Sequence, residues 1–135
     1  MKTKMMSMVA AAAVLLAGVP AMAHHSFAAE FDGTKPVILQ GKVTKVEWQN
    51  PHIWVYMDAR NPDGTVTSWE CEGGAPNALI RHGWNRNSVK PGTPVHVEGF
   101  QAKDRSFRAS GRDITLPDGK SLFMGQGGAA APSAS

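Results

Sequence analysis

The sequence predicts an all-β domain with one short helix, built as a small OB-like five-stranded barrel. Three observations predict it. Apolar residues recur with period two along most of the stretch from Val37 to Phe123. Turn signals rich in Asn, Pro, Asp and Gly separate these runs. The runs come in the order three strands, a helix and two strands, with a long bent first strand, which is the order of an OB-type barrel. Closure removes exposed strand edges, which suits a small chain whose single cysteine can make no internal disulfide. A β-sandwich would need about seven strands, more than this pattern supplies.

In the first strand Val37, Leu39, Gly41 and Val43 share one face, and Val46 and Trp48 share the other. The change of parity at Thr44-Lys45 requires a bulge or a sharp bend. Asn50-Pro51 interrupts the run, and Ile53, Val55 and Met57 then alternate with Trp54, Tyr56 and Asp58. Asn61-Pro62-Asp63-Gly64 is a turn, because Pro presets one dihedral and Gly supplies a positive one. Val66 to Glu72 therefore returns as the second arm of a hairpin. Gly73-Gly74 ends it. Pro76 and Asn77 lead into a short helix over Ala78 to His82, closed by Gly83. Pro91-Gly92-Thr93-Pro94 is the next turn. Strand four sets Val95, Val97 and Gly99 against His96 and Glu98. Strand five runs from Phe107 to Leu116 with a phase change near Gly111. Leu116-Pro117-Asp118-Gly119 turns the chain into a last short strand, Ser121-Leu122-Phe123.

The ends of the chain carry a different pattern. Lys2 and Lys4 precede an uncharged, mostly apolar stretch from Met5 to Val19, broken by Pro20 and followed by Ala21-Met22-Ala23. That is the three-part pattern of a secretory signal with cleavage after Ala23. The apolar stretch is shorter than the roughly 20 residues a membrane-spanning helix needs. The expected plan is a signal peptide over 1–23, a leader segment over 24–35, the barrel over 36–124 and a low-complexity tail over 125–135. The tail, GQGGAAAPSAS, has no charge and no large apolar side chain, so little would offset the entropy of ordering it. The expected location is periplasmic or secreted, with no transmembrane anchor after cleavage.

Charge narrows the partner classes. The chain has 14 Lys and Arg against 11 Asp and Glu, and the signal holds two of the bases and none of the acids. The mature chain is then nearly neutral, which speaks against nucleic acid and anionic surfaces. The expected partner is a periplasmic protein, a peptide or a glycan. Enzyme signatures are missing: Gly73-Gly74 has no following Lys-Ser/Thr, and neither a Gly-x-Ser-x-Gly elbow nor a His-Glu-x-x-His helix occurs. Glu70 and Glu72 share a strand face, which reads as a solvated face. Cys71 reads as a small buried hydrophobe.

Several segments together resemble a known family. They are His24-His25-Ser26-Phe27, Val46-Glu47-Trp48 with Asn50-Pro51-His52, Pro76-Asn77-Ala78-Leu79 through Gly83-Trp84, Lys90-Pro91-Gly92, Val97-Glu98-Gly99 and Thr115-Leu116-Pro117-Asp118-Gly119. The chain resembles domain-of-unknown-function family 6152, small exported bacterial proteins with a His-His-Ser-Phe mature start. The resemblance implies export and a small β-rich domain, and it implies no activity.

Two sets of residues carry candidate chemistry. Cleavage after Ala23 would give His24 a free α-amine, which can chelate a metal together with its own ring. A third nitrogen from His52, or as the lesser alternative from His82, would complete a histidine-brace set, and planar nitrogen ligands suit Cu(II). Alternatively the amine, an intervening amide and the His25 ring would chelate it. The other reading is a flexible polar leader that happens to hold two His. The second set is aromatic: Trp48, Trp54, Tyr56 and Trp69. Either these rings form a ligand face on strands two and three, or the helix and leader cover them. His96 is expected to face solvent beside Glu98, and His82 to complement a helix C-terminus.

Overall fold

The computed structural model describes residues 27–125. The expected signal segment, His24, His25 and residues 126–135 lie outside the described residues. A short helix α1 (Phe27–Glu30) leads directly into the long strand β1 (Phe31–Glu47), followed by β2 (Trp54–Arg60) and β3 (Val66–Glu72). Helix α2 (Pro76–Arg81) separates these from β4 (Pro94–Ala102), β5 (Arg108–Thr115) and β6 (Ser121–Phe123). The protein is all-β apart from these two short helices, as its alternating pattern predicts.

The strands form one sheet in the order β3-β2-β1-β4-β5-β6, and a further parallel pairing of β3 with β5 closes it. Five strands thus make a ring, β1-β2-β3-β5-β4, with β6 attached beside β5. β1 serves two partners: residues up to Lys42 pair with β4, and residues from Gly41 pair with β2. Gly41 sits at the handover, opposite both Ala59 and Val95. A Cβ there would collide with the Asp58 carbonyl oxygen, so the close approach of the strands requires glycine.

Both expected phase changes are β-bulges. The β1–β2 register passes from Val43↔Met57 to Lys45↔Tyr56, leaving Thr44 as the extra residue. The β4–β5 register passes from Glu98↔Asp113 to Gly99↔Gly111, leaving Arg112. The carbonyl of Arg112 accepts a hydrogen bond from the Met124 N–H at 2.7 Å, which ties the chain past β6 back to the ring. Each bulge lets one strand present apolar residues inward on both sides of a bend.

Inside the ring lie Leu39, Val43, Ile53, Val55, Met57, Cys71, Val95, Val97, Ala109 and Ile114, each 5% exposed or less. Leu79 of α2, Trp84, Leu122 and Met124 complete this cluster. The Trp84 indole N–H donates to the Phe123 carbonyl at 2.9 Å, satisfying its one polar group on burial. Pro76 opens α2, where a missing N–H costs nothing, and Gly83 closes it at φ 91°. β1 begins at Phe31, ahead of Pro36. Phe31 is 2% exposed and stacks on Phe27 at 5.9 Å, so residues 31–35 of the expected leader continue the strand.

Candidate functional site

Strands β2, β3 and β5 build one outer face. Val55, Met57, Cys71 and Ala109 are fully buried within the ring, so the alternate residues Trp54, Tyr56, Glu70, Glu72, Arg108 and Ser110 point outward. Register sets them in two rows across the strands. One row runs Glu47, Trp54, Glu72, Ser110. The other runs Lys45, Tyr56, Glu70, Arg108.

The first row is partly covered. The segment Phe27–Phe31 lies over its end: the Phe27 ring meets Phe100 edge-on at 5.5 Å, and the Arg108 guanidinium lies 5.8 Å from the Phe31 ring. The Lys103 N–H donates to the Glu30 carbonyl, which fastens this segment to the end of β4. Glu72 is only 6% exposed although it points out of the ring. His52 answers it, with Nδ1 2.7 Å from Oε1 of Glu72. Burial pushes the Glu72 carboxyl up, the His52 charge pulls it back down, Glu30 raises it and Arg108 lowers it. Glu72 is therefore not part of a solvated strand face, whereas its neighbour Glu70 is exposed.

The second row opens into a groove of about 510 Å³ between β3 and the 104–107 loop. Trp69 has the inward parity of Cys71 and belongs to the core at 8% exposed, and the Phe107 ring meets it edge-on at 5.4 Å. Phe107 itself is 56% exposed. Tyr56, Ser68, Glu70, Asp104, Ser106 and Arg108 complete the wall. Hydrogen bonds from Ser106 hold the Asp104 carboxyl below the usual carboxylate range, so it is an anion at neutral pH. Nε of Arg108 is buried and finds no acceptor among the described residues. The Tyr56 hydroxyl donates to Glu47 Oε2 at 3.3 Å, and Lys45 Nζ lies 5.1 Å from the Tyr56 ring centre. Burial raises the Tyr56 phenol.

The four aromatic candidates separate. Tyr56 and Trp69 line the groove. Trp54 is half-buried in the covered row. Trp48 lies elsewhere, beside Trp84 at 6.4 Å and against the core. His52 stands at the start of β2 and half-exposed, while its proposed companions His24 and His25 fall outside the described residues. Among the described residues no three His, Cys, Asp or Glu side chains come close enough to hold a metal ion. Cys71 is fully buried, and burial pushes its thiol up to about 12. His96 lies 3.6 Å from Glu98 on the outside, and His82 caps α2 with its ring edge-on to Phe123.

Three residues of this site were not singled out from the sequence: Glu72 as a buried carboxylate, Phe107 and Arg108. The sequence offers for the last two only a Phe directly followed by Arg, next to a turn.

A family model described as a family of unknown function, DUF6152, matches residues 11–111. The chain belongs to that family. The matched span contains His52, Glu72 and every groove residue through Arg108, and it ends before β6. No curated protein and no solved structure matches the chain.

Proposed function

We propose that this DUF6152 chain is exported and works outside the cytoplasm as a small, non-enzymatic binding or accessory module. The groove on the β3–β5 seam is its ligand site. One observation carries this reading: an aromatic side chain, Phe107, is left more than half exposed over a buried Trp69, in a groove whose size falls within the roughly 300–1,000 Å³ of small-ligand sites. Export is supported by the signal-type pattern over 1–23, and no helix of the described residues is long and apolar enough to cross a membrane.

Two measurements test the reading. Expression of the full chain in a bacterium, with fractionation and N-terminal sequencing, should place the protein outside the cytoplasm with His24 first. Screening that mature protein against peptide and saccharide libraries should yield a ligand that Phe107→Ala no longer binds. Retention in the cytoplasm with residues 1–23 intact sinks the export claim, and an absence of ligands in both libraries sinks the module.

A second reading is favoured by one contact. Glu72 on Nδ1 of His52 fixes the ring and leaves Nε2 for another partner, as a carboxylate does behind a metal-ligating histidine. With His24 freed by cleavage, or with His25, this ring would complete a Cu(II) site, in a copper-dependent redox protein or copper carrier. Untagged mature protein would then bind Cu(II) with a nitrogen-dominated paramagnetic spectrum. One residue added before His24 would weaken binding more than tenfold, about 1.4 kcal/mol, and His52→Ala would also weaken it while His96→Ala would not. A silent His52 would reduce the site to a peptide chelate.

A further inference from the structure

We infer that the open edge of β3 takes an extended peptide, added to the sheet as a further strand. This rests on the binding-module reading and names its ligand class. The ring closes on β3 only over Glu70–Glu72, which lie opposite Arg108–Ser110 of β5. β3 starts earlier, at Val66, so Val66 to Trp69 have β2 on one side and, among the described residues, no strand on the other. The main chain decides which groups face that gap. The Glu70 N–H donates to the Phe107 carbonyl at 3.0 Å, so Glu70 turns its N–H and C=O away from β2. These groups alternate sides along a strand, and Val66 and Ser68, with the parity of Glu70, turn theirs the same way. Both residues are exposed, Val66 at 59%.

An edge of this kind fits another strand, because its donors and acceptors are spaced for an extended chain. Lys, Pro or a bulge would blunt it, and Val66 to Trp69 carry no Lys or Pro and pair with β2 in unbroken register. Space lies beside it: Ser68 and Ser106 both line the groove between β3 and the 104–107 loop. An added strand alternates its side chains as β3 does. Those on the inward side meet Trp69 and the 56% exposed Phe107, which selects apolar residues. Those on the outward side pass Glu70 and Asp104, while the Arg108 guanidinium is drawn against the Phe31 ring, which selects basic residues. Two copies of the chain joined edge to edge would instead bring the same carboxylates together.

The test uses the full mature protein and a capped octapeptide that alternates valine with lysine. A control of the same sequence carries N-methyl groups on adjacent central residues, so that neither of its edges can pair. The first peptide should bind, and the amides of Val66 and Ser68 should gain protection from exchange. The control should bind at least roughly tenfold more weakly, and Phe107→Ala should weaken the first peptide several-fold. Equal binding of the two peptides, or binding without that protection, overturns the inference, because side chains alone would then hold the ligand. Failure of the octapeptide to bind at millimolar concentration also overturns it. So does concentration-dependent dimerisation that protects the same amides, which makes a second copy the occupant. A Phe107-dependent ligand from the libraries that leaves Val66 and Ser68 unprotected keeps the module reading and removes only the added strand. The absence of any ligand in both libraries removes both.

Discussion

Nδ1 of His52 lies 2.7 Å from Oε1 of Glu72, joining the segment before β2 to the last residue of β3. The Glu72 side chain is 8% exposed and the His52 ring 38% exposed, so the pair is buried at one end and wet at the other. The carboxylate would otherwise face the covered end of the sheet with its charge poorly solvated. The two partners are therefore not equivalent.

His52→Ala should destabilise the protein more than Glu72→Gln. The first substitution leaves a buried carboxylate without its donor, while the second removes the charge and keeps an acceptor. With solvent reaching the histidine, the expected cost of His52→Ala is about 1–2 kcal/mol. Thermal melts of both variants decide it, at about 4–8 °C per kcal/mol in a domain of this size. Equal shifts would show that the pair has no asymmetry.

Gly41→Ala should be among the most damaging single-methyl additions. Its Cβ would meet the Asp58 carbonyl, a backbone atom held by the β1–β2 pairing, so relief requires moving a strand. A loss of more than about 3 kcal/mol is expected, against a smaller loss for Gly111→Ala, where the nearest atoms are the thioether end of Met124 and can swing away. Urea unfolding of the two variants ranks them. A mild Gly41→Ala would mean that β1 bends differently in solution.

Cys71 should be inert in the native state. Its thiol is fully buried and pushed up to about 12, so almost no thiolate exists at neutral pH and none is reachable. A thiol-specific chromogenic disulfide should react at the rate of unfolding, and promptly only in denaturant. Fast stoichiometric reaction of the folded protein would contradict this placement.

Acid should loosen three local aspartate caps before the ring. Asp63 accepts from the Thr65 hydroxyl at 2.5 Å and from its N–H at 2.9 Å, Asp32 accepts likewise from Thr34, and Asp104 accepts from Ser106. These bonds lower all three carboxyls from 3.8. A depressed folded value contributes stability above 3.8 that is lost as pH falls through the lower folded value. Amide protection at Thr34, Thr65 and Ser106, corrected for the pH dependence of intrinsic exchange, should therefore fall as pH drops below about 3.8, with protection of the β2 and β4 amides unmoved. Uniform loss across the chain would mean that these caps are not separable from global unfolding.

Much of the architecture was already legible in the residues. The inward set Ile53, Val55 and Met57, the turn at Asn61–Gly64, the bulges at Thr44 and near Gly111, and the closing Gly83 all follow from local rules: side chains alternate along a strand, glycine takes positive φ, and a phase change needs an extra residue. Cys71, read as a small buried hydrophobe, is fully buried. Those same local rules placed Glu72 on an outer face and said nothing of what covers it. Burial of an outward residue depends on what other parts of the chain bring to it, here His52 from the segment before β2. The groove likewise arises only where β3 and β5, distant in sequence, run side by side and bring Trp69 beneath Phe107. Alternation fixes which way a side chain points, but long-range pairing decides what it meets there. Local alternation thus accounts for most of the strands and the inward set Ile53, Val55 and Met57, whereas the His52–Glu72 pair and the exposed ring of Phe107 arise from long-range packing.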